Sequence, residues 1–208
     1  DLSVRHLKKF GADLKWVIFD APMNGHDYHG PRACNYSIEE TVRRMGATIA
    51  EIRTMYPAIK LGWTQVPNRV DRSFDAWLAE LRAELAAYRQ VTGTPLDALM
   101  LDMNYYLPGW EACIRQSADI LHQNGTAAGV FLNARGGRDV TDQSWMDEAR
   151  QHAEALAANQ FALDYVIVAS WQRHPARLLP DNDPLALTSL LNHYQRAMGQ
   201  AKGTQSPR

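Results

Sequence analysis

Two aspartates in this 208-residue chain each close a short apolar run. One run leads into Phe19-Asp20-Ala21-Pro22, the other into Asp102-Met103-Asn104-Tyr105-Tyr106. A carboxylate at the end of a buried segment needs a partner or a task, because desolvating it alone is costly. Two carboxyl groups across a glycosidic bond can act as acid and as base or nucleophile. Asp20 and Asp102 are therefore the candidate catalytic pair. Other apolar runs end in Trp63-Thr64-Gln65, Asn133-Ala134-Arg135 and Ser170-Trp171-Gln172-Arg173-His174. This set mixes hydrogen-bonding groups with flat apolar faces, and sugars present the same mixture. Gln65, Asn104, Tyr105, Asn133, Arg135 and His174 are the expected polar contacts of a carbohydrate. Trp171 and Trp63 are the expected stacking platforms. Plainer roles compete. Asp20 could be a turn residue before Pro22, Asp102 could order a loop, and Asn133 could satisfy backbone groups. Either tryptophan could simply pack in the core.

Other chemistries are less well supported. His26, Asp27 and His29 could hold a divalent metal, but His-x-x-His in an irregular loop does not fix a geometry. Solvated histidines are the expectation, and no metal or cofactor is assigned. No GxSxG occurs, which removes the serine-hydrolase elbow. Cys34 and Cys113 sit in no CxxC, so zinc-ribbon and thioredoxin readings fail. Two separate thiols are expected rather than a disulfide.

Five apolar runs must position these residues: Leu14–Phe19, Ile59–Thr64, Leu99–Met103, Ala127–Asn133 and Tyr165–Ser170. Each is too short for a helix and rich in Val, Ile, Leu or Phe, the pattern of strands buried on both faces. Helical stripes separate them. Ile38, Val42, Met45, Ile49, Ile52 and Tyr56 share one face, with Ser37 and Glu40 as a capping box and Pro57 as a stop. Phe74 to Tyr88 repeats the pattern and ends at Gly93. Further stripes are Trp110 to Leu121, Trp145 to Leu156, and Leu187 to Tyr194, the last with Pro184 expected in its first turn. Strand–helix units in this order require right-handed crossovers and a parallel sheet. Ligands then bind where the strands end.

The fold expected is an α/β, TIM-barrel-type parallel sheet, residues 1–208 forming a single barrel-type domain. Val4, Leu7 and Phe10 suggest a short helix ahead of the first strand. Five strands are too few to close a (β/α)8 barrel, so the chain reads as its later five units, with the first strands upstream. An open flavodoxin-like sheet is the rival, but no strand is followed by GxGxxG or GxxxxGK[ST]. The chain opens on Asp1 rather than Met, so upstream processing or trimming is expected.

Composition narrows the partners. Hydrophobic residues are 46%, charged residues 22%, and the formal net charge is -1. That balance offers no basic field for nucleic acid. No run reaches the length of a membrane span. The oligomeric state is not legible.

The segments FDAPMNGHDY, LGWTQVP, LDMNYYLPGW and VIVASWQRHPARLLPDNDPLALTSLLNHY resemble the strand ends of secreted bacterial TIM-barrel proteins of the glycoside hydrolase superfamily. The resemblance spans most of the chain. It implies a carbohydrate-active barrel with Asp20, Gln65, Asp102 and Trp171 toward an oligo- or polysaccharide. It also implies a secreted or periplasmic location. One departure stands out. Such barrels commonly carry a catalytic glutamate at a strand end. Here Glu39, Glu40, Glu51, Glu80, Glu84, Glu111, Glu148 and Glu154 all fall in expected helices or helix starts. The second strand ends in Gln65, which cannot move the proton of general acid–base chemistry. Three readings stay open: the aspartates do the chemistry, Gln65 replaces a glutamate, or another catalytic group lies upstream. A non-catalytic polysaccharide-binding barrel and a metal-dependent hydrolase are the alternatives in function.

Overall fold

The computed structural model describes residues 2–23, 26 and 34–203. Five strands alternate with helices: α1 (Leu2–Lys9), β1 (Trp16–Phe19), α2 (Ile38–Met55), β2 (Lys60–Gln65), α3 (Phe74–Thr92), β3 (Ala98–Leu101), α4 (Trp110–Gln123), β4 (Ala127–Leu132), α5 (Asp142–Asn159), β5 (Tyr165–Val168) and α6 (Leu187–Gly203). The local signals explain the boundaries. The Ser37 hydroxyl accepts from the Glu40 amide at 3.1 Å and starts α2. Ser73 caps α3 in the same way, and Gly93 closes it in the left-handed conformation, φ 75°. Thr141 and Ser144 form a reciprocal capping box on α5. Pro184 lies three residues ahead of α6 rather than in its first turn.

The strands pair in the order β1-β2-β3-β4-β5, all parallel. This sequential order rules out the flavodoxin-like rival, whose order reverses after its first strand. Crossovers of one hand, taken in sequence, place every helix on the same face of the sheet. The packing follows. Val17 and Phe19, Leu61 and Trp63, Leu99 and Leu101, Val130 and Leu132 pack in one core with the helix stripes. The alternate residues Trp16, Ala98, Met100, Ala127, Phe131 and Ile167 form a separate, smaller cluster on the other face.

That second face is concave. Trp16 on β1 and Tyr165 on β5 meet edge to face, ring centroids 5.6 Å apart. In a flat sheet, strands four places apart lie about 19 Å from one another. A ring of eight tilted strands is roughly 12–15 Å across, which two aromatic side chains can bridge. The five strands therefore curl as a half-barrel of the (β/α)8 type, with β1 and β5 on opposite sides of its axis. Ile18 and Tyr165 on the concave face are 39% and 37% exposed, so this lumen is only partly filled. No described helix is long and apolar enough to cross a membrane.

Candidate functional site

Side chains alternate faces along a strand, so the concave parity carries on past the last paired residue. It takes Ile18 to Asp20, Gly62 to Thr64, Met100 to Asp102, Phe131 to Asn133, and Ala169 to Trp171. These five positions form one arc at the carboxyl ends of the strands. The Thr64 hydroxyl donates to Asp20 Oδ1 at 2.8 Å and accepts from the Ala21 amide at 2.8 Å. The Asn133 amide donates to Asp102 Oδ1 at 3.0 Å.

Beside this arc, beyond β3, β4 and β5, lies a cleft of about 210 Å³. Asp102, Asn104, Asn133, Arg135, His152 and Trp171 are among its walls. Asp102 is the one carboxylate among these walls. Burial raises the Asp102 carboxyl above its ordinary 3.8; the Asn133 amide and the Trp171 indole pull it down, and the negative charge of Asp20 pushes it up. Trp171 is 56% exposed, and its ring stands edge to face on Phe131 at 5.3 Å. A large indole left open beside a half-buried acid is a platform for an apolar face. Asn104 is clasped through its backbone by Asn68, at 2.8 and 2.9 Å. Its buried Oδ1 has no partner among the described residues.

His152, from α5, was not among the residues the sequence singled out. Its Nδ1 lies 2.8 Å from the Asn133 carbonyl. A carbonyl only accepts, so Nδ1 carries the hydrogen and Nε2 the lone pair. Burial holds this imidazole below its ordinary 6.5, which keeps it neutral at pH 7. No spacing rule links a mid-helix histidine to a strand end, and only the packing of α5 on the sheet brings it here.

Several expectations are corrected. Trp63 is fully buried and meets Tyr88 edge to face at 5.4 Å on the helix side of β2, so it cannot stack on a ligand. Gln65, 2% exposed, shares that parity. Its amide nitrogen lies 3.3 and 3.4 Å from the Glu84 oxygens on α3, away from the cleft. Tyr105 lines the cleft but spends its hydroxyl on the Phe131 carbonyl at 2.6 Å, and its ring stacks under His152 at 4.3 Å. It supports the site rather than donating to a ligand. His174 is paired with Asp142 at 2.5 Å and lines a neighbouring groove. Arg135 stands at the exposed edge, 3.4 Å from Glu148.

His26 directs Nδ1 to the Tyr36 carbonyl at 3.0 Å, while Asp27 and His29 lie outside the described residues. Among the described residues, no three His, Cys, Asp or Glu side chains gather as a metal site. Cys34 is exposed, Cys113 is buried, and neither is in a disulfide. Burial pushes the Cys113 thiol up to about 11, which makes it a poor nucleophile.

Among solved structures, the chain is similar to a xylose isomerase domain protein from Alicyclobacillus acidocaldarius subsp. acidocaldarius. The two share 11% identity over 97% of this chain and 94% of that one, with a TM-score of 0.42. No family model and no curated protein matches the sequence.

Proposed function

We propose that the cleft binds a carbohydrate and that the protein is a glycoside hydrolase with Asp102 as the proton donor. One observation carries this reading: a strand-end carboxyl held above its ordinary range beside an exposed indole. A raised carboxyl pKa is what a general acid needs to hold a proton near neutral pH. Asp102 passes that proton to the glycosidic oxygen as the bond to the anomeric carbon breaks. Asp20 supplies the second carboxylate, as base to the water that attacks that carbon or as the nucleophile whose glycosyl ester water then cleaves, so that water takes the sugar and the leaving alcohol keeps the proton from Asp102. Asn133 keeps Asp102 oriented, and Trp171 takes the sugar's C–H face. Among the described residues no glutamate stands at a concave strand end, which favours a second reading, a barrel that binds polysaccharide without cleaving it.

The test is release of reducing ends from a polysaccharide panel by the parent protein and by Asp102→Asn. Release that depends on Asp102 supports hydrolysis. Saturable binding without product, unchanged in the variant, supports the binding barrel. Equal release by both proteins removes Asp102 from the chemistry.

A further inference from the structure

A second groove, about 380 Å³ in volume, adjoins the cleft and is lined by Arg138, Arg173, His174, Gly136 and Gln172. Gly136 and Gln172 line both depressions, so the two are continuous. The boundary is thin. A Cβ on Gly136 would stand 2.1 Å from Gln172 Cδ, so the exposed Gln172 amide rests on bare backbone.

The charges in this groove do not cancel. The carboxylate of Asp142 is taken by His174 and by the Ala176 amide. Arg135, at the border, leans on Glu148. Arg138 and Arg173 have no hydrogen-bond or ion-pair partner among the described residues. Asp139, on the same loop, is exposed and does not line the groove. Two unpaired guanidiniums thus flank a polar groove that opens onto an acid-bearing cleft. A guanidinium presents a planar fork of donors that matches a carboxylate or sulfate.

We propose that this groove is an anion subsite and that the saccharide bound in the cleft is acidic, carrying a carboxylate or sulfate one ring away from the bond at Asp102. The proposal rests on the carbohydrate reading of the cleft and names its substrate class. The ligand lies with its ring on Trp171 and its charged group beyond Gln172, between Arg138 and Arg173.

The test is calorimetric binding of an oligogalacturonate, a sulfated carrageenan oligosaccharide and a neutral cello-oligosaccharide to the full chain, in low and in high salt. One charge-assisted contact corresponds to about tenfold in affinity. At least one charged oligomer is expected to bind about tenfold or more tightly than the neutral one, and to lose most of that advantage in high salt. Which of the two is preferred separates carboxylate from sulfate. The Arg138→Gln/Arg173→Gln double variant is expected to lose the preference while keeping its affinity for any neutral ligand. Binding of the neutral oligomer with no advantage for either charged one overturns the subsite and leaves the carbohydrate reading intact. Failure of all three to bind overturns both. A preference that survives high salt also overturns the subsite, and that readout uses the parent protein alone.

Discussion

Replacing Asp102 by Asn separates stability from activity in a way the geometry dictates. The substitution keeps the volume and an oxygen that can accept from the Asn133 amide, now 3.0 Å from Oδ1. The bond to a charged acceptor becomes a bond to a neutral one, a loss of about 1 kcal/mol. Against that stands relief from burying a charge, and burial is the largest influence on this carboxyl, with the repulsion of Asp20 added to it. Relief is expected to win at neutral pH. The unfolded carboxyl ionises near 3.8, and the folded one ionises higher. Asp102 therefore favours the folded state fully below 3.8, and that contribution is lost as pH rises through the folded pKa. Asn cannot titrate. The stability of Asp102→Asn relative to the parent should rise from pH 4 upward and level off once the folded carboxyl is ionised. Urea midpoints for both proteins at several pH values measure this difference directly. Over the same range, turnover should fall by about 10²–10⁴-fold if Asp102 is the general acid. A stability difference that shrinks with pH would refute the raised pKa. Full turnover in the variant would refute the catalytic role.

Trp63→Ala should cost about 3–5 kcal/mol, since it empties a fully buried site against Tyr88; thermal melts check it, and glycan affinity of the folded fraction should not change. Trp171→Ala should leave the melting temperature nearly unchanged and weaken glycan binding roughly three- to tenfold by titration. Below pH 6.5, the unfolded state takes up a proton at His152 before the folded state does, because burial depresses the folded pKa. Stability should therefore fall as pH drops from 6.5 through that depressed value, and His152→Phe should flatten this slope in urea melts. Asn133→Ala removes a bond that lowers the Asp102 pKa and should shift the pH–activity profile upward.

The strands and most helices were legible because their signals are local. Ser37 and Gly93 sit at helix ends where their chemistry places them, and every apolar run overlaps a strand. Four of the five strands are shorter than their runs, because pairing stops before the apolar residues do, and β2 is as long as its run but shifted by one residue. Leu14 and Met103, for example, are packed outside the ladder. The face each strand end presents was also within reach. The period of two that sends Asp102, Asn133 and Trp171 inward sends Trp63 and Gln65 outward to α3, and a parity count from Thr64 would have separated them. Three features were not legible. His152 reaches the cleft from the middle of a helix stripe. Tyr105 has its hydroxyl claimed by a carbonyl on the neighbouring strand. The curl that brings Trp16 to Tyr165 depends on the twist of the whole sheet, which no single segment encodes.

The most direct test of the central claim is reducing-end release by the parent chain and by Asp102→Asn, across a panel that includes acidic and neutral polysaccharides. The account predicts release by the parent, strongest on an acidic substrate, and a loss of about 10²–10⁴-fold in the folded variant. Equal release by the two proteins, or no release by the parent on any substrate, would contradict it.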